Sequence, residues 1–161
     1  MAERKDQRPG LPSVLDRLLD EDPTRSGEQA MTLKQLGTAL KDAVRRDLED
    51  LLNTRRRPFS LPDDLEELEH SSFQFGIPDF SGANLSSLER RRKYLRSVEE
   101  LIRQHEPRFS SVRVISVDEK KTGERTLHFR IEAVLRTEPI PESVLYDSQV
   151  DIITRSFRIR I

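Results

Sequence analysis

The sequence predicts an α+β fold in which N-terminal helices pack on a C-terminal antiparallel β-meander. Before residue 106, apolar side chains recur at steps of three and four, which is the period of one helix face. After residue 109, apolar and polar residues alternate, which is the period of a strand with one buried face. Pro107 stands where the period changes, and a proline at this point ends the preceding helix.

Composition limits the size of the core and excludes several kinds of site. The chain has 161 residues, of which 34% are hydrophobic and 35% are charged, so it has enough apolar residues for one domain with a small core. The net charge of −1 provides no overall field that favours nucleic acid or an anionic membrane. Cysteine is absent, which excludes disulfides and thiolate metal sites and fits a reducing cytoplasm.

The domain organisation follows from the polar N-terminus. Residues 1–10 are predicted to be a disordered lead-in, and residues 11–161 a single domain that opens with a short helix over residues 11–19. No apolar run approaches the roughly 20 residues that span a bilayer, and no apolar segment of a secretory signal follows the charged start. We therefore expect a cytoplasmic protein with no direct membrane insertion.

The first long helix is predicted to begin at Thr32. Thr32 and Gln35 form a capping-box pattern, in which each side chain binds the backbone N–H of the other residue. One apolar stripe follows at helical spacing: Leu33, Leu36, Leu40, Val44, Leu48 and Leu51. The basic run 55–57 is predicted to close the helix before Pro58, because cations favour the negative end of the helix dipole.

An irregular connector is predicted over residues 58–82, with a short helix near Pro62. Its share of aromatic residues is higher than that of the rest of the chain, and they include Phe73, Phe75 and Phe80. Apolar area of this extent must be held against a core or a partner, so we expect the connector to be pinned in place.

The second long helix is predicted to run from about Ser87 to His105. Ser86 and Glu89 form a second capping-box pattern. The predicted buried stripe contains Leu88, Arg91, Leu95, Val98 and Ile102, widened by Tyr94 and Leu101. Pro107 disfavours the helical conformation at the residue before it, so the helix should end there.

Four strands are predicted after the second helix. The first begins at Ser110, and the second contains the long alternating run from Leu127 to Leu135. The third covers residues 144–151 and the last covers residues 156–161. Consecutive strands with short turns most simply pair as an antiparallel meander.

No catalytic or cofactor-binding motif is present, so we expect no enzyme activity, cofactor or metal. The three histidines, His70, His105 and His128, are isolated and lack metal-ligand spacing. Two basic clusters, at residues 55–57 and 90–93, are accompanied by acidic residues, which favours solvated helix faces over a nucleic-acid site. A peptidoglycan hydrolase that acts through two carboxylates remains an open alternative, since such a site needs only two acids.

Glu106, Pro107 and Arg108 form the one charged motif placed where the helix turns into the sheet. One interpretation is a helix stop with two incidental charges. The other is a rigid corner, fixed by Pro107, that offers a carboxylate and a guanidinium to a partner. The local sequence alone does not decide between the two.

Four segments in one order resemble a known family. They are residues 14–19 (VLDRLL), 43–55 (AVRRDLEDLLNTR), 75–82 (FGIPDFSG) and 106–108 (EPR). Over roughly residues 11–161 the chain resembles TssE, the baseplate subunit of type VI secretion systems. That family is related to the contractile-phage baseplate wedge protein and carries a tail-lysozyme-like name.

The resemblance implies a structural role rather than lysozyme activity. Subunits of this family lie beside TssF and TssG in a baseplate docked at the inner membrane, with TssK as a further partner, and help to start assembly of the TssB–TssC sheath. It also implies that Glu106, Pro107 and Arg108 dock on the wedge. A free-standing adaptor of the same fold is a further alternative.

The last strand is a second predicted partner-binding element, because a meander leaves an edge strand whose backbone can pair with another chain. Phe157, Ile159 and Ile161 are therefore predicted to take part in partner binding. The charges that alternate with them, on Arg158 and Arg160, would discourage uncontrolled pairing while permitting a chosen partner.

Overall fold

The computed structural model describes residues 32–56, 68, 71–78, 87–117, 126–137 and 140–161. Two α-helices precede four strands in this part of the chain. The elements are α1 (Leu33–Asn53), a 3₁₀ turn (Ser72–Gln74), α2 (Leu88–His105), β1 (Phe109–Ser116), β2 (Thr126–Leu135), β3 (Glu142–Asp151) and β4 (Phe157–Arg160). The strands form one antiparallel sheet in the order β1-β2-β3-β4. The predicted α+β fold with a C-terminal meander is confirmed.

Helix α1 begins as predicted and ends earlier than predicted. The Thr32 side chain accepts a hydrogen bond from the Gln35 N–H, and the Gln35 side chain accepts one from the Thr32 N–H, so the capping box is present. The helix ends at Asn53, and Thr54 leaves it in an extended conformation. Arg55 then forms a parallel bridge with Ile77, so extended pairing competes with further helical turns and leaves Arg55 and Arg56 outside the helix.

Helix α2 has a different N-cap from the predicted one. The Ser87 hydroxyl accepts a hydrogen bond from the Arg90 N–H at 3.3 Å, whereas the prediction used Ser86 and Glu89. The cap therefore lies one residue later, which places an arginine where a capping box needs glutamate or glutamine. The helix ends at His105 and Glu106 is its C-cap, as predicted from the position of Pro107.

The core lies between the two helices and one face of the sheet. The buried side chains include Leu40, Val44, Leu48, Leu51 and Leu52 from α1, and Tyr94, Leu95, Val98, Leu101 and Ile102 from α2. The sheet contributes alternate residues, among them Val112, Val114, Phe129, Ile131, Leu135, Tyr146, Phe157 and Ile159. The predicted stripe of α1 is buried from Leu40 onward, whereas Leu36 is half-buried and the side chain of Leu33 lies outside the described ones. The predicted stripe of α2 is buried except at Leu88, which is exposed.

The connector is pinned to the end of α1 through Ile77. The Ile77 N–H donates to the Thr54 carbonyl at 2.8 Å, and the Arg56 N–H donates to the Ile77 carbonyl at 2.9 Å. Ile77 is buried, while Phe73 and Phe75 remain exposed. The predictions for residues 1–10, the helix at 11–19, the short helix near Pro62, Phe80 and His70 lie outside the described residues.

Candidate docking site

The corner, residues 106–108, is held by backbone hydrogen bonds at both ends. The Glu106 N–H donates to the Ile102 carbonyl at 2.8 Å and closes the last turn of α2. The Arg136 N–H, just beyond β2, donates to the Arg108 carbonyl at 2.8 Å. Pro107 is exposed at the tip between these two attachments. The corner is therefore joined to a helix on one side and to the sheet on the other.

Arg108 binds Glu106 through a bidentate pair inside the corner. The Arg108 Nε donates to Glu106 Oε1 at 2.6 Å, and Nη2 donates to Oε2. The Arg108 backbone N–H also donates to Oε1, at 3.2 Å. Glu106 is only 4% exposed, so its carboxylate faces inward and makes this pair within the chain. Such a pair fixes the plane of the guanidinium as well as its position.

Asp47 of α1 is the third member of this cluster. The Arg108 Nη2 donates to Asp47 Oδ2 as well as to Glu106. The side chain of Asp47 is 46% exposed and that of Arg108 is 24% exposed, so the cluster opens to solvent on the Asp47 side. We call Asp47, Glu106 and Arg108 the ionic cluster. It ties α1 to the corner across a sequence separation of 61 residues.

Two opposing effects act on the charge of Arg108. Burial of the guanidinium by itself lowers the pKa of Arg108, because a charge loses solvation in the interior. The hydrogen bonds and charges of Glu106, and then those of Asp47, outweigh burial and raise the pKa of Arg108 above its ordinary value. The ionic partners therefore favour the charged form of Arg108.

An exposed aromatic segment lies beside the corner. The rings of Phe75 and His105 meet edge to face, with centroids 5.6 Å apart. His105 is the last residue of α2 and directly precedes the corner. Phe73, on the same pinned segment, is exposed. The charged corner and an apolar surface are thus neighbours on the molecule.

The outer edge of β4 is engaged by α1. Asn53 Oδ1 accepts the Phe157 N–H at 2.9 Å, and Asn53 Nδ2 donates to the Phe157 carbonyl at 3.2 Å. Glu49 Oε1 accepts the Ile159 N–H at 2.9 Å. The side chains of Phe157 and Ile159 are buried, and Ile161 is exposed. Of the three residues predicted to bind a partner on this strand, two have their side chains in the core.

The outer edge of β1 is contacted by α2 in a similar way. Glu99 Oε2 accepts the Val114 N–H at 2.9 Å. Arg103 Nη2 lies 3.4 Å from the Val112 carbonyl and 2.7 Å from Glu99 Oε1. Each edge strand of the sheet is therefore approached by two side chains that are four residues apart on one helix.

A match to a family model shows which protein family the chain belongs to. The family model described as baseplate wedge protein gp25 matches residues 38–140. The chain belongs to this family. The resemblance derived from the four sequence segments is thereby confirmed at the level of the wedge protein. A search of curated proteins and a search of solved structures found no match.

The match to the gp25 family covers the corner and the ionic cluster. It includes Asp47, Glu106, Pro107 and Arg108, and it ends at residue 140, before β3 begins. Membership makes this chain a structural component of a contractile baseplate. β4, with Phe157, Ile159 and Ile161, lies outside the matched range.

In the described part of this gp25-family protein, no group of three or more histidine, aspartate or glutamate side chains is arranged to hold a metal ion. No helix among the same residues is long and apolar enough to cross a bilayer.

The sequence identified the corner and missed Asp47 as its partner. Asp47 lies three residues after the buried Val44 and one before the buried Leu48, so periodicity places it on the flank of the apolar stripe. Its only distinguishing signal was membership of the segment 43–55, which carried part of the family resemblance.

Proposed function

We propose that this chain is the TssE-type wedge subunit of a type VI secretion baseplate. In this proposal it acts without catalysis in the cytoplasm, in a baseplate docked at the inner membrane. It docks on TssF and TssG, meets TssK in the same assembly, and helps to nucleate the TssB–TssC sheath. The single observation that supports this role best is the gp25-family match over residues 38–140, which contains the corner.

The ionic cluster supports docking through a preorganised donor. The Arg108 Nε and Nη2 atoms bind Glu106 and Asp47, whereas Nη1 has no hydrogen-bond partner among the described residues. A guanidinium whose plane is already fixed loses little conformational entropy when Nη1 binds an acceptor. Carbonyl groups at a helix end or a carboxylate of the wedge would provide such an acceptor.

In this arrangement the two acids have different tasks. Glu106 is buried and orients Arg108, so it acts as a positioning residue rather than as a contact. Asp47 is half exposed and stands beside the free side of Arg108, where it can accept a hydrogen bond from the partner. Pro107 is exposed at the tip and can pack against the partner. The exposed Phe73 and Phe75 extend this surface with apolar area.

The test is co-purification with the TssF–TssG wedge after Arg108→Lys. Lysine keeps the positive charge beside Glu106 and Asp47 but cannot make a bidentate pair and present a further N–H in the same plane. We expect recovery of the complex to fall by about tenfold or more, as loss of a charge-assisted hydrogen bond implies. Thermal unfolding of the variant checks that it is folded.

Arg113→Lys is the matched control, because Arg113 is exposed on β1 away from the ionic cluster. This control should co-purify like the unmodified protein. If Arg108→Lys also co-purifies normally, the corner is not the docking site.

A further inference from the structure

The backbone of β4 has hydrogen-bond partners on both sides, although β4 is the last strand of the sheet. β3 binds one side of the strand, and side chains of α1 bind the other. We propose that Glu49 and Asn53 form an edge clamp that blocks pairing of β4 with a second copy of the chain and so keeps the free protein monomeric. This inference goes beyond the proposed function, because it concerns the chain before any partner is bound.

The edge clamp occupies the backbone groups that a further strand would use. The outward N–H and carbonyl of Phe157 bind the Asn53 side chain, at 2.9 Å and 3.2 Å. The next outward N–H, on Ile159, donates to Glu49 Oε1 at 2.9 Å. A neighbouring antiparallel strand would bind these same alternate residues. The side chains of α1 therefore take the place of that strand.

Contacts within α1 hold the edge clamp in position. Arg45 Nη1 donates to Glu49 Oε2 at 2.8 Å, so each oxygen of this carboxylate has its own donor. Asn53 Nδ2 also donates to the Glu49 carbonyl at 2.8 Å. Asn53 is exposed and the Glu49 side chain is 30% exposed, so neither residue fills a place in the core. Their polar groups are therefore explained by the strand that they bind.

The strand below the edge clamp would otherwise be able to pair with another copy. β4 alternates the buried Phe157 and Ile159 with the exposed Arg158 and Arg160, and an uncovered strand of this kind is a template for another chain. In an antiparallel pair of two copies centred on Ile159, Arg158 of each copy would face Arg160 of the other and repel it. The edge clamp and the two arginines therefore oppose the same contact by different means.

The other edge of the sheet is closed in the same way. Glu99 Oε2 accepts the Val114 N–H at 2.9 Å, and Glu99 Oε1 binds Arg103 of the same helix at 2.7 Å. At both edges, a helix glutamate thus accepts an outward N–H of the strand while an arginine four residues away on its own helix holds its second oxygen. Recurrence on two different helices supports edge closure as the role of these side chains.

The test is the association state of the full chain after Glu49→Ala and Asn53→Ala together. Alanine favours the helix and adds no large apolar side chain, so this double variant removes the edge clamp without creating a new contact surface. Size-exclusion chromatography with light scattering measures the mass over a range of concentrations. We expect the unmodified chain to stay monomeric and the double variant to dimerise as concentration rises. Added salt should favour the dimer, because it screens the arginines.

Two controls separate the edge clamp from the loss of a charge. Asp50→Ala removes an exposed carboxylate next to Glu49 and should leave the chain monomeric. Glu49→Gln should also stay monomeric, since the amide oxygen can still accept the Ile159 N–H. If the double variant is folded by circular dichroism and remains monomeric at every concentration and salt, or if the unmodified chain already dimerises, the inference is refuted.

A spin label shows which edge forms the contact. The chain has no cysteine, so Arg158→Cys and Ile115→Cys each add one thiol to the double variant, on exposed positions of β4 and β1. Pairing at β4 brings labels at 158 of two copies close enough for spin–spin broadening, whereas labels at 115 stay apart. A dimer with broadening at 115 alone, or at neither position, forms elsewhere and contradicts the inference.

Hydrogen exchange tests the edge clamp even if the double variant does not fold. Glu49→Ala alone should accelerate exchange of the Ile159 amide by about tenfold, as loss of a hydrogen bond to a charged group implies. The Arg158 amide should be unaffected, because Arg158 pairs with Gln149 of β3. Unchanged exchange at Ile159 would refute the edge clamp. These measurements include no wedge or sheath protein, so their outcome is independent of the co-purification test.

Discussion

Replacement of Glu106 by glutamine tests whether the ionic cluster stabilises the fold. Glutamine has the same shape, but it removes the negative charge and turns one acceptor of the Arg108 guanidinium into a donor. A hydrogen bond to a charged group contributes about 1.5–3 kcal/mol, and removing one partner of a buried ion pair costs about 3–5 kcal/mol. Asp47 still binds Arg108 in this variant, and the Arg108 side chain is 24% exposed. The cost should therefore lie near the value for a charged hydrogen bond, below the cost of breaking a fully buried ion pair.

We therefore expect Glu106→Gln to lower the free energy of unfolding by about 2–3 kcal/mol. For a chain of this size, that corresponds to a fall in melting temperature of roughly 5–10 °C. Urea unfolding followed by circular dichroism measures the change.

Glu142→Gln provides the control for this experiment. Glu142 pairs with Lys41 on the surface and its side chain is 42% exposed, so the same chemical change should cost less than about 1 kcal/mol. Added salt should reduce the control effect more than the Glu106 effect, because surface pairs are better screened. If the two variants are destabilised equally, Glu106 is not the buried counter-ion that we describe.

Two further predictions concern the pinned connector and the tyrosines. Gly76 has φ +103°, and a Cβ there would lie 2.6 Å from the Thr54 carbonyl oxygen, so Gly76→Ala should cost about 2 kcal/mol or more in urea unfolding. Gly37→Ala is its control and should stabilise α1 by about 0.5–1 kcal/mol; equal effects would contradict the assigned strain. Burial raises the pKa of Tyr94 and of Tyr146, the only tyrosines, above the ordinary value of 10.0. Above that pH the unfolded chain loses these protons first, so stability is complete below pH 10.0 and falls above it. Phenolate absorbance should thus rise together with loss of circular dichroism, and a rise near pH 10.0 with the fold intact would contradict this.

The features predicted well from the sequence depend on short-range patterns. The capping box of Thr32 and Gln35 needs only residues three apart, and its side chains bind as expected. The alternation over residues 127–135 needs only one buried sheet face, and the structure confirms it. Helix ends were less accurate, because the end of α1 depends on the bridge between Arg55 and Ile77, which local propensity does not contain.

The candidate site was predicted only in part for a similar reason. The corner was recognisable because Pro107 interrupts a helix at a change of period. That Glu106 faces inward, and that Asp47 shares Arg108, depends on how α1 packs beside the end of α2. Likewise, the hydrogen bonds that cover the β4 edge join residues of α1 to the end of the chain, more than 100 positions away.

The covering of both sheet edges depends on a match between two repeat lengths. Side chains four apart on a helix are about 6 Å apart along its axis. Outward backbone groups two apart on a strand are about 6.6 Å apart. Glu49 binds Ile159 and Asn53 binds Phe157 at this spacing. Residue numbers rise along the helix while they fall along the strand, so the two elements run antiparallel. Over one turn, the side-chain spacing of an antiparallel helix therefore matches the spacing of the outward backbone groups of an edge strand beside it. A polar pair at i and i+4 on the flank of such a helix is therefore a sequence sign of a closed edge, which single-strand patterns do not reveal.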